Sequence, residues 1–304
     1  MGNRIRGVLA PVITPFNQKG EVDIRRLVTH CHWLRKYGVG LAILGTNSEA
    51  NSLSLAERLN LMEALFETDI ERKAFMPGTG ACDLPTAVAL TRAATCAGCA
   101  GVLTLPPFYY KGVSDEGLYA FYSELIEQVG EESLRVYLYH IPQVAQVNIS
   151  IGLIERLLKA YPQQIAGIKD SSGDWHYTQT LLNSFKGEQF DVFPGSERFL
   201  LAGLREGAAG CISATANINP AAIIELYTHW QTKSAERLQV KLNEVRDIFE
   251  QFPMIPALKT TIAHWSQDSQ WRAVRPPFLP LQAKDRQSLL NYLSKVGFNI
   301  QDVS

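Results

Sequence analysis

Eight short apolar runs, each followed by an amphipathic stretch, constrain this chain more than any other feature of it. They are Gly7 to Phe16, Val39 to Gly45, Ala74 to Gly80, Gly101 to Pro107, Arg135 to Pro142, Ile165 to Ser172, Asp191 to Ser196 and Ala208 to Ser213. Their starts lie about 30 residues apart until the last step, the spacing of repeated βα units. Near-continuous apolar runs suit strands covered on both faces, and parallel strands need a crossover helix between them. Eight such units predict an α/β fold, a (β/α)8 barrel. No internal sequence repeat accompanies the spacing, so the period belongs to the architecture. An open doubly wound sheet is the competing arrangement, but the Gly-x-Gly-x-x-Gly expected after its first strand is absent.

The intervening segments carry helix signals. From Asp23, apolar residues recur at Ile24, Leu27, Val28, Cys31 and Leu34, one stripe of a helix. Ser54 followed by Glu57 forms a capping box, with Leu55, Leu59, Met62 and Leu65 or Phe66 expected to face inward. Ile151, Ile154, Leu157 and Leu158 repeat the pattern. Beyond about Tyr227 the strand signal stops, and helical patterns from Lys233 to Phe252 and Asp285 to Val296 flank a Pro-rich piece, Arg275-Pro276-Pro277-Phe278-Leu279-Pro280. We therefore expect a catalytic barrel over 1–226 and a small helical domain over 227–304.

Composition narrows the partners. The 304 residues are 46% hydrophobic, enough for a sizeable core, and 29 Lys plus Arg balance 30 Asp plus Glu to a net charge of −1. No global field recruits nucleic acid or an anionic membrane. No apolar stretch reaches the roughly 18 residues of a membrane span, and Met1-Gly2-Asn3-Arg4-Ile5-Arg6 runs directly into strand-like sequence. A cytoplasmic protein with a small-molecule or protein partner is expected. Five cysteines in a chain of this length suggest reduced thiols rather than a disulfide framework.

In a barrel, chemistry gathers at the C-terminal ends of the strands. Alternation along Ile165-Ala166-Gly167-Ile168-Lys169 puts Ile165, Gly167 and Lys169 on one face, aiming the lysine into the barrel mouth. Desolvation there favours a neutral amine, a nucleophile for a Schiff base. The same spacing also fits a lysine paired with Asp170 or snorkelling to the rim. Tyr139 ends the preceding strand and is a candidate proton shuttle with Thr46 as its hydroxyl partner, or a core tyrosine with its hydroxyl satisfied. The turn Gly45-Thr46-Asn47-Ser48-Glu49 offers donors for a carboxylate, as ordinary turns and caps also do. Gly195, Ser196 and Ser213 end the last two strands and are candidates for the pocket lining, or for turn formation alone. His140 fits a substrate contact and a structural histidine equally. His30-Cys31-His32 imitates a metal-ligating His-x-His, but positions i and i+2 of a helix point apart. Cys96-Ala97-Gly98-Cys99 has no second pair for zinc.

In combination these segments resemble the dihydrodipicolinate synthase/N-acetylneuraminate lyase family from Gly7 to Leu281. Gly45-Thr46-Asn47-Ser48-Glu49 is similar to its Gly-Thr-Thr-Gly-Glu loop, Tyr139-His140-Ile141-Pro142 to its Tyr-Asn-Val-Pro, and Gly167-Ile168-Lys169-Asp170-Ser171-Ser172 to its lysine strand. Pro107-Phe108-Tyr109-Tyr110, Glu116-Gly117-Leu118-Tyr119, Gly210-Cys211-Ile212-Ser213 and Val274-Arg275-Pro276-Pro277 also match in order. The resemblance implies a (β/α)8 barrel with a helical C-terminal domain. It implies a class I aldolase or lyase that joins pyruvate to a second carbonyl compound or splits the product, with no metal or organic cofactor. It assigns Lys169 to the imine, Tyr139 to the proton shuttle and Thr46 to its relay. Thr46 and Asn47, with Ser48, would bind the oxo-acid carboxylate, and Gly195 and Ile212 would line the substrate site. Tyr110 would complete the relay from a neighbouring subunit, implying a homo-oligomer, a tetramer built as a dimer of dimers. The family's synthases carry an arginine just after the Tyr-Asn-Val-Pro proline, where this chain has Gln143, Val144 and Ala145. That absence disfavours 4-hydroxy-tetrahydrodipicolinate synthesis and favours a catabolic lyase for a hydroxylated 2-oxo acid or sugar acid, such as 4-hydroxy-2-oxoglutarate. A metal-dependent barrel enzyme and a non-catalytic oxo-acid sensor are the other classes considered.

Overall fold

The computed structural model describes residues 4–303; Met1 to Asn3 of the opening segment, and Ser304, lie outside the described residues. In chain order the elements are β1 (Gly7–Ala10), α1 (Ile24–Lys36), β2 (Gly40–Leu41), α2 (Leu55–Phe66), α3 (Leu84–Cys96), β3 (Val102–Thr104), α4 (Asp115–Val129), β4 (Val136–His140), α5 (Pro142–Ala145), α6 (Ile151–Ala160), β5 (Ile165–Asp170), α7 (Trp175–Ser184), β6 (Asp191–Pro194), α8 (Leu200–Glu206), β7 (Gly210–Ile212), α9 (Pro220–His229), α10 (Ala235–Phe249), α11 (Met254–Trp265) and α12 (Ala283–Lys295). They divide into two compact units, one of residues 4–7 and 71–212, the other of residues 8–70 and 213–303.

The first unit is built on four parallel strands in the order β3-β4-β5-β6. Every residue of these strands is buried, as the continuous apolar runs require. Tyr139 stands opposite Lys169, and Lys169 opposite Phe193. One layer closer to the strand starts, the ring of Tyr137 fills space left by two glycines. A Cβ on Gly101 would lie 2.7 Å from that ring, and one on Gly167 would strike the Asp191 carbonyl. The Tyr137 hydroxyl donates to Asp191 Oδ2 at 3.3 Å, and Asp191 is paired with Arg6 at 3.0 Å and Arg4 at 3.5 Å. Burial and the adjacent carboxylate push the Tyr137 pKa above the usual tyrosine range, so it stays a neutral donor.

Seven of the eight expected strands form, each shorter than its apolar run; the run from Ala74 to Gly80 contributes only a bridge between Gly78 and Leu103 among the described residues. Leu103 N–H donates to Pro77 O and Thr79 N–H to Leu103 O, so the chain does pass in parallel. Pro77 has no N–H to offer the ladder. A Cβ on Gly80 would lie 2.5 Å from Leu105 N, a closeness that only glycine permits.

In the second unit β1 and β2 pair in parallel, Leu9 with Gly40 and Ala10 with Leu41. Asp23 caps α1, and Ser54 with Glu57 forms the capping box of α2. The inward face of α2 departs from expectation: Leu55 is exposed and Leu59 half-buried, while Arg58, Leu61, Met62 and Leu65 are buried. Leu55 is the first helical residue, a turn away from the buried stripe. The C-terminal helices α9 to α12 belong to this unit. The boundary expected at 226/227 falls inside α9, and α11 was not foreseen. No helix among the described residues is long and apolar enough to cross a membrane.

Candidate active site

Lys169 is next to last in β5, where pleating puts it on the side of Gly167 and sends Asp170 to the other. It is 3% exposed, and its Nζ lies 4.2 Å from the centre of the Tyr139 ring on the adjacent strand. The Asp170 carboxylate is engaged elsewhere: Thr178 Oγ1 donates to Oδ2 at 2.5 Å and Ser172 N–H to Oδ1 at 3.0 Å. Among the described residues no carboxylate pairs with Lys169. The ion-paired alternative therefore does not apply. An amine held by packing is open to attack on a carbonyl carbon, which an amine locked to a carboxylate is not. Tyr139 is 3% exposed and packs with Ile141 and Ala145 against Leu105 and Phe108, so its ring is held by apolar contact.

The other strand ends differ in what they offer. His140, on the opposite face from Tyr139, is buried against Tyr177 with ring centres 4.5 Å apart, and its Nδ1 accepts from Ile149 N–H at 3.3 Å. Burial lowers its pKa, with Asp170 opposing weakly. Tyr177 and Ile149 thus hold the ring in place. Gln143, which stands in the stretch where the resembling synthases carry arginine, donates from its side-chain amide to Ser171 O at 2.5 Å. It ties the end of β4 to the end of β5. Gly195 N–H donates to Asp170 O at 2.6 Å, and a Cβ there would collide with the Ser171 side chain. Ile212 is fully buried. Tyr110 is not brought to Lys169; it is 70% exposed and packs edge-to-face on Tyr109, itself 73% exposed, with ring centres 5.3 Å apart.

The Gly45–Glu49 turn belongs to the second unit. Thr46 and Asn47 are half-buried. The Ser48 hydroxyl is buried, donates to Val12 O at 2.5 Å and accepts from Gly45 N–H at 3.1 Å, and the Ser48 carbonyl accepts from Thr14 Oγ1 at 2.7 Å. These bonds brace the turn. Leu44 (φ 57°) and Glu49 (φ 56°) flank the turn in the left-handed region. The buried Glu49 carboxylate pairs with Lys259 and accepts from Arg275 N–H at 2.9 Å. Burial brings the Lys259 pKa down to about 8, with Glu49 opposing the shift. Lys259 was missed by sequence reasoning; a single lysine among Ile255, Ala257, Leu258, Ile262 and Ala263 was the available signal.

His30 and His32 face apart. His30 is buried with Nε2 at 3.2 Å from Asn217 Oδ1 and its pKa lowered to about 4 by burial, while His32 lies 3.3 Å from Asp69 at the surface. Cys96 is exposed, whereas Cys99 is buried and its thiol is pushed up to about 12. No grouping of three or more His, Cys, Asp or Glu suited to a metal occurs among the described residues.

Comparison with known proteins identifies the family. The model of the dihydrodipicolinate synthetase family matches residues 4–296. A DapA-like lyase of Chloroflexus aurantiacus is 34% identical over 287 residues, covering 93% of this chain and 94% of the relative. The 4-hydroxy-tetrahydrodipicolinate synthase of Thermus thermophilus is 33% identical over 300 residues, covering 96% of each. Among solved structures, YagE of E. coli K12, a prophage protein of the dihydrodipicolinic acid synthase family in complex with pyruvate, superposes with a TM-score of 0.90 at 25% identity, over 97% of this chain and 99% of YagE. The fold class is thereby the expected one, a (β/α)8 barrel with C-terminal helices.

Proposed function

This chain belongs to the dihydrodipicolinate synthetase family and is a lyase, and from that premise we propose that it is a class I aldolase acting on hydroxylated 2-oxo acids through an imine on Lys169. The observation that carries the proposal is the buried Lys169 amine, 4.2 Å from the centre of the Tyr139 ring, with the neighbouring Asp170 carboxylate turned away to Thr178 and Ser172. The amine adds to C2 of the oxo acid, and Tyr139 delivers the proton with which the carbinolamine oxygen leaves as water. Tyr139, left as a phenolate by that transfer, takes the proton of the C4 hydroxyl while the protonated imine accepts the electron pair of the breaking C3–C4 bond. An aldehyde leaves, an enamine remains and the proton is held for return to C3. Protonation at C3 and hydrolysis then return pyruvate and the free amine. Condensation is the same path reversed.

In this reading Thr46 relays the proton to Tyr139, Thr46 and Asn47 bind the carboxylate, and Gly195 and Ile212 line the site. Tyr110 serves the site of a neighbouring copy in a homotetramer. The pyruvate bound by YagE supports the substrate class. Gln143, bound to Ser171 O where an arginine fork would grip a second carboxylate, favours a hydroxylated oxo acid or sugar acid over the synthase substrate. The likeness to the Thermus synthase favours the second reading, 4-hydroxy-tetrahydrodipicolinate synthesis. Pyruvate release from a panel of hydroxylated 2-oxo acids, with Lys169→Ala as control, tests the proposal. Release that needs Lys169 is expected; condensation with aspartate semialdehyde and no cleavage of any panel member would establish the second reading.

A further inference from the structure

We infer that Lys259 is a positioning residue for this reaction: through Glu49 it fixes the Gly45–Glu49 turn, so that the donors of Thr46 and Asn47 are already in place when the substrate carboxylate arrives. The inference rests on the proposed assignment of Thr46 and Asn47 to that carboxylate.

The turn needs support from outside itself. Leu44 and Glu49, both non-glycine, sit at φ 57° and 56°, a conformation L residues keep only when their surroundings impose it. Ser48 secures the middle through Val12 and Thr14. The far end hangs on the Glu49 carboxylate, whose Oε1 is paired with Lys259 Nζ and whose Oε2 accepts from Arg275 N–H at 2.9 Å. Lys259 is itself fixed: Nζ donates to Ala273 O at 2.8 Å and lies 4.3 Å from the centre of the Phe16 ring. The Arg275 guanidinium lies 4.8 Å from the centre of that ring and donates to Ser52 O at 2.9 Å, gripping the chain three residues past Glu49.

Both side chains of the Lys259–Glu49 pair are fully buried. A buried pair is a poor device for stability, because well-packed apolar side chains of similar volume serve as well or better. Its use is directional: two oxygens held by two donors orient residue 49 and, through two peptide links, Asn47. Nothing else on α11 has this reach, since the rest of its buried face is apolar or carries short hydroxyls.

Borohydride trapping of the imine at varied ketone concentration tests the inference, with Lys259→Met and the milder Glu49→Gln compared with wild type. Pyruvate is one ketone and acetone, which lacks the carboxylate, is the other. The expected result is a rise on the order of tenfold or more in the pyruvate concentration needed for half-maximal trapping, with acetone trapping unchanged within about twofold. Unchanged pyruvate dependence in a folded variant would overturn the inference, and so would parallel loss with both ketones, which denotes general disruption. Absence of any adduct on the wild-type enzyme would instead refute the imine reading beneath it. Should Lys259→Met not fold, Glu49→Gln decides alone by the same two readouts.

Discussion

Lys169 and Lys259 are both buried, yet their neighbours differ in kind. Lys259 meets a carboxylate, a carbonyl and a ring, whereas Lys169 meets the Tyr139 ring and no carboxylate among the described residues. Tyr139→Phe keeps the ring under the amine and removes only the hydroxyl. We expect it to lower kcat by about 10²- to 10⁴-fold while the imine on Lys169 still forms slowly, measured by turnover and by trapping. His30 offers a test without chemistry. Its pKa falls to about 4 on burial from an ordinary 6.5, so between those values the unfolded chain binds the proton and the folded one does not. Stability should therefore drop as pH falls from 6.5 to 4, by roughly 3 kcal/mol at the limit. Thermal melts of wild type and His30→Gln across that range check it; equal slopes would show that His30 is not responsible. Lys169 was legible in the sequence because period-two alternation and one polar residue at the end of an apolar strand suffice to aim it. The bracing role of Ser48 was not legible, because a serine in a turn looks alike in sequence whatever its hydroxyl meets, here Val12 O.

At the scale of elements, each apolar run overstates its strand because apolar residues continue beyond the ladder bonds into the adjoining loops. Val39 to Gly45 yields only Gly40–Leu41 before the turn, and the Lys169 run stops pairing at Asp170. The run from Ala74 to Gly80 loses ladder bonds at Pro77, a rule of backbone chemistry that hydrophobicity does not convey. Helix α11 escaped notice because it is buried nearly all round, with its buried polar residues Lys259, Thr260 and Thr261 consecutive and Pro256 in its first turn, so no 3.6-residue contrast marks it. Gly195 links element geometry to the site. Its amide holds the end of β5, and a methyl group there would press on Ser171, two residues beyond Lys169. Gly195→Ala should destabilise by about 1–3 kcal/mol and lower kcat/KM by about tenfold or more through the displaced lysine strand. Denaturant melts paired with turnover measure both, and wild-type kinetics would show that β5 tolerates the displacement.

For the whole molecule, the barrel was legible because eight units at regular spacing leave few ways to cover both faces of a parallel sheet. The division of packing was not: C-terminal helices share a compact unit with residues 8–70, a long-range association that no local pattern encodes. Assembly is open to the same kind of test. Tyr109 and Tyr110 leave two large rings in solvent on a single chain, the costly kind of exposure that a neighbouring copy would relieve. If Tyr110 serves a neighbour's site, Tyr110→Phe should keep the oligomeric mass seen by analytical ultracentrifugation and lose about 10²-fold in kcat; unaltered kcat would remove it from the relay. The most direct measurement on the central claim is mass spectrometry of the protein after incubation with pyruvate and borohydride. A single reduced adduct of pyruvate mapped to Lys169 is expected. An unmodified chain, or an adduct that persists in Lys169→Ala, would contradict it.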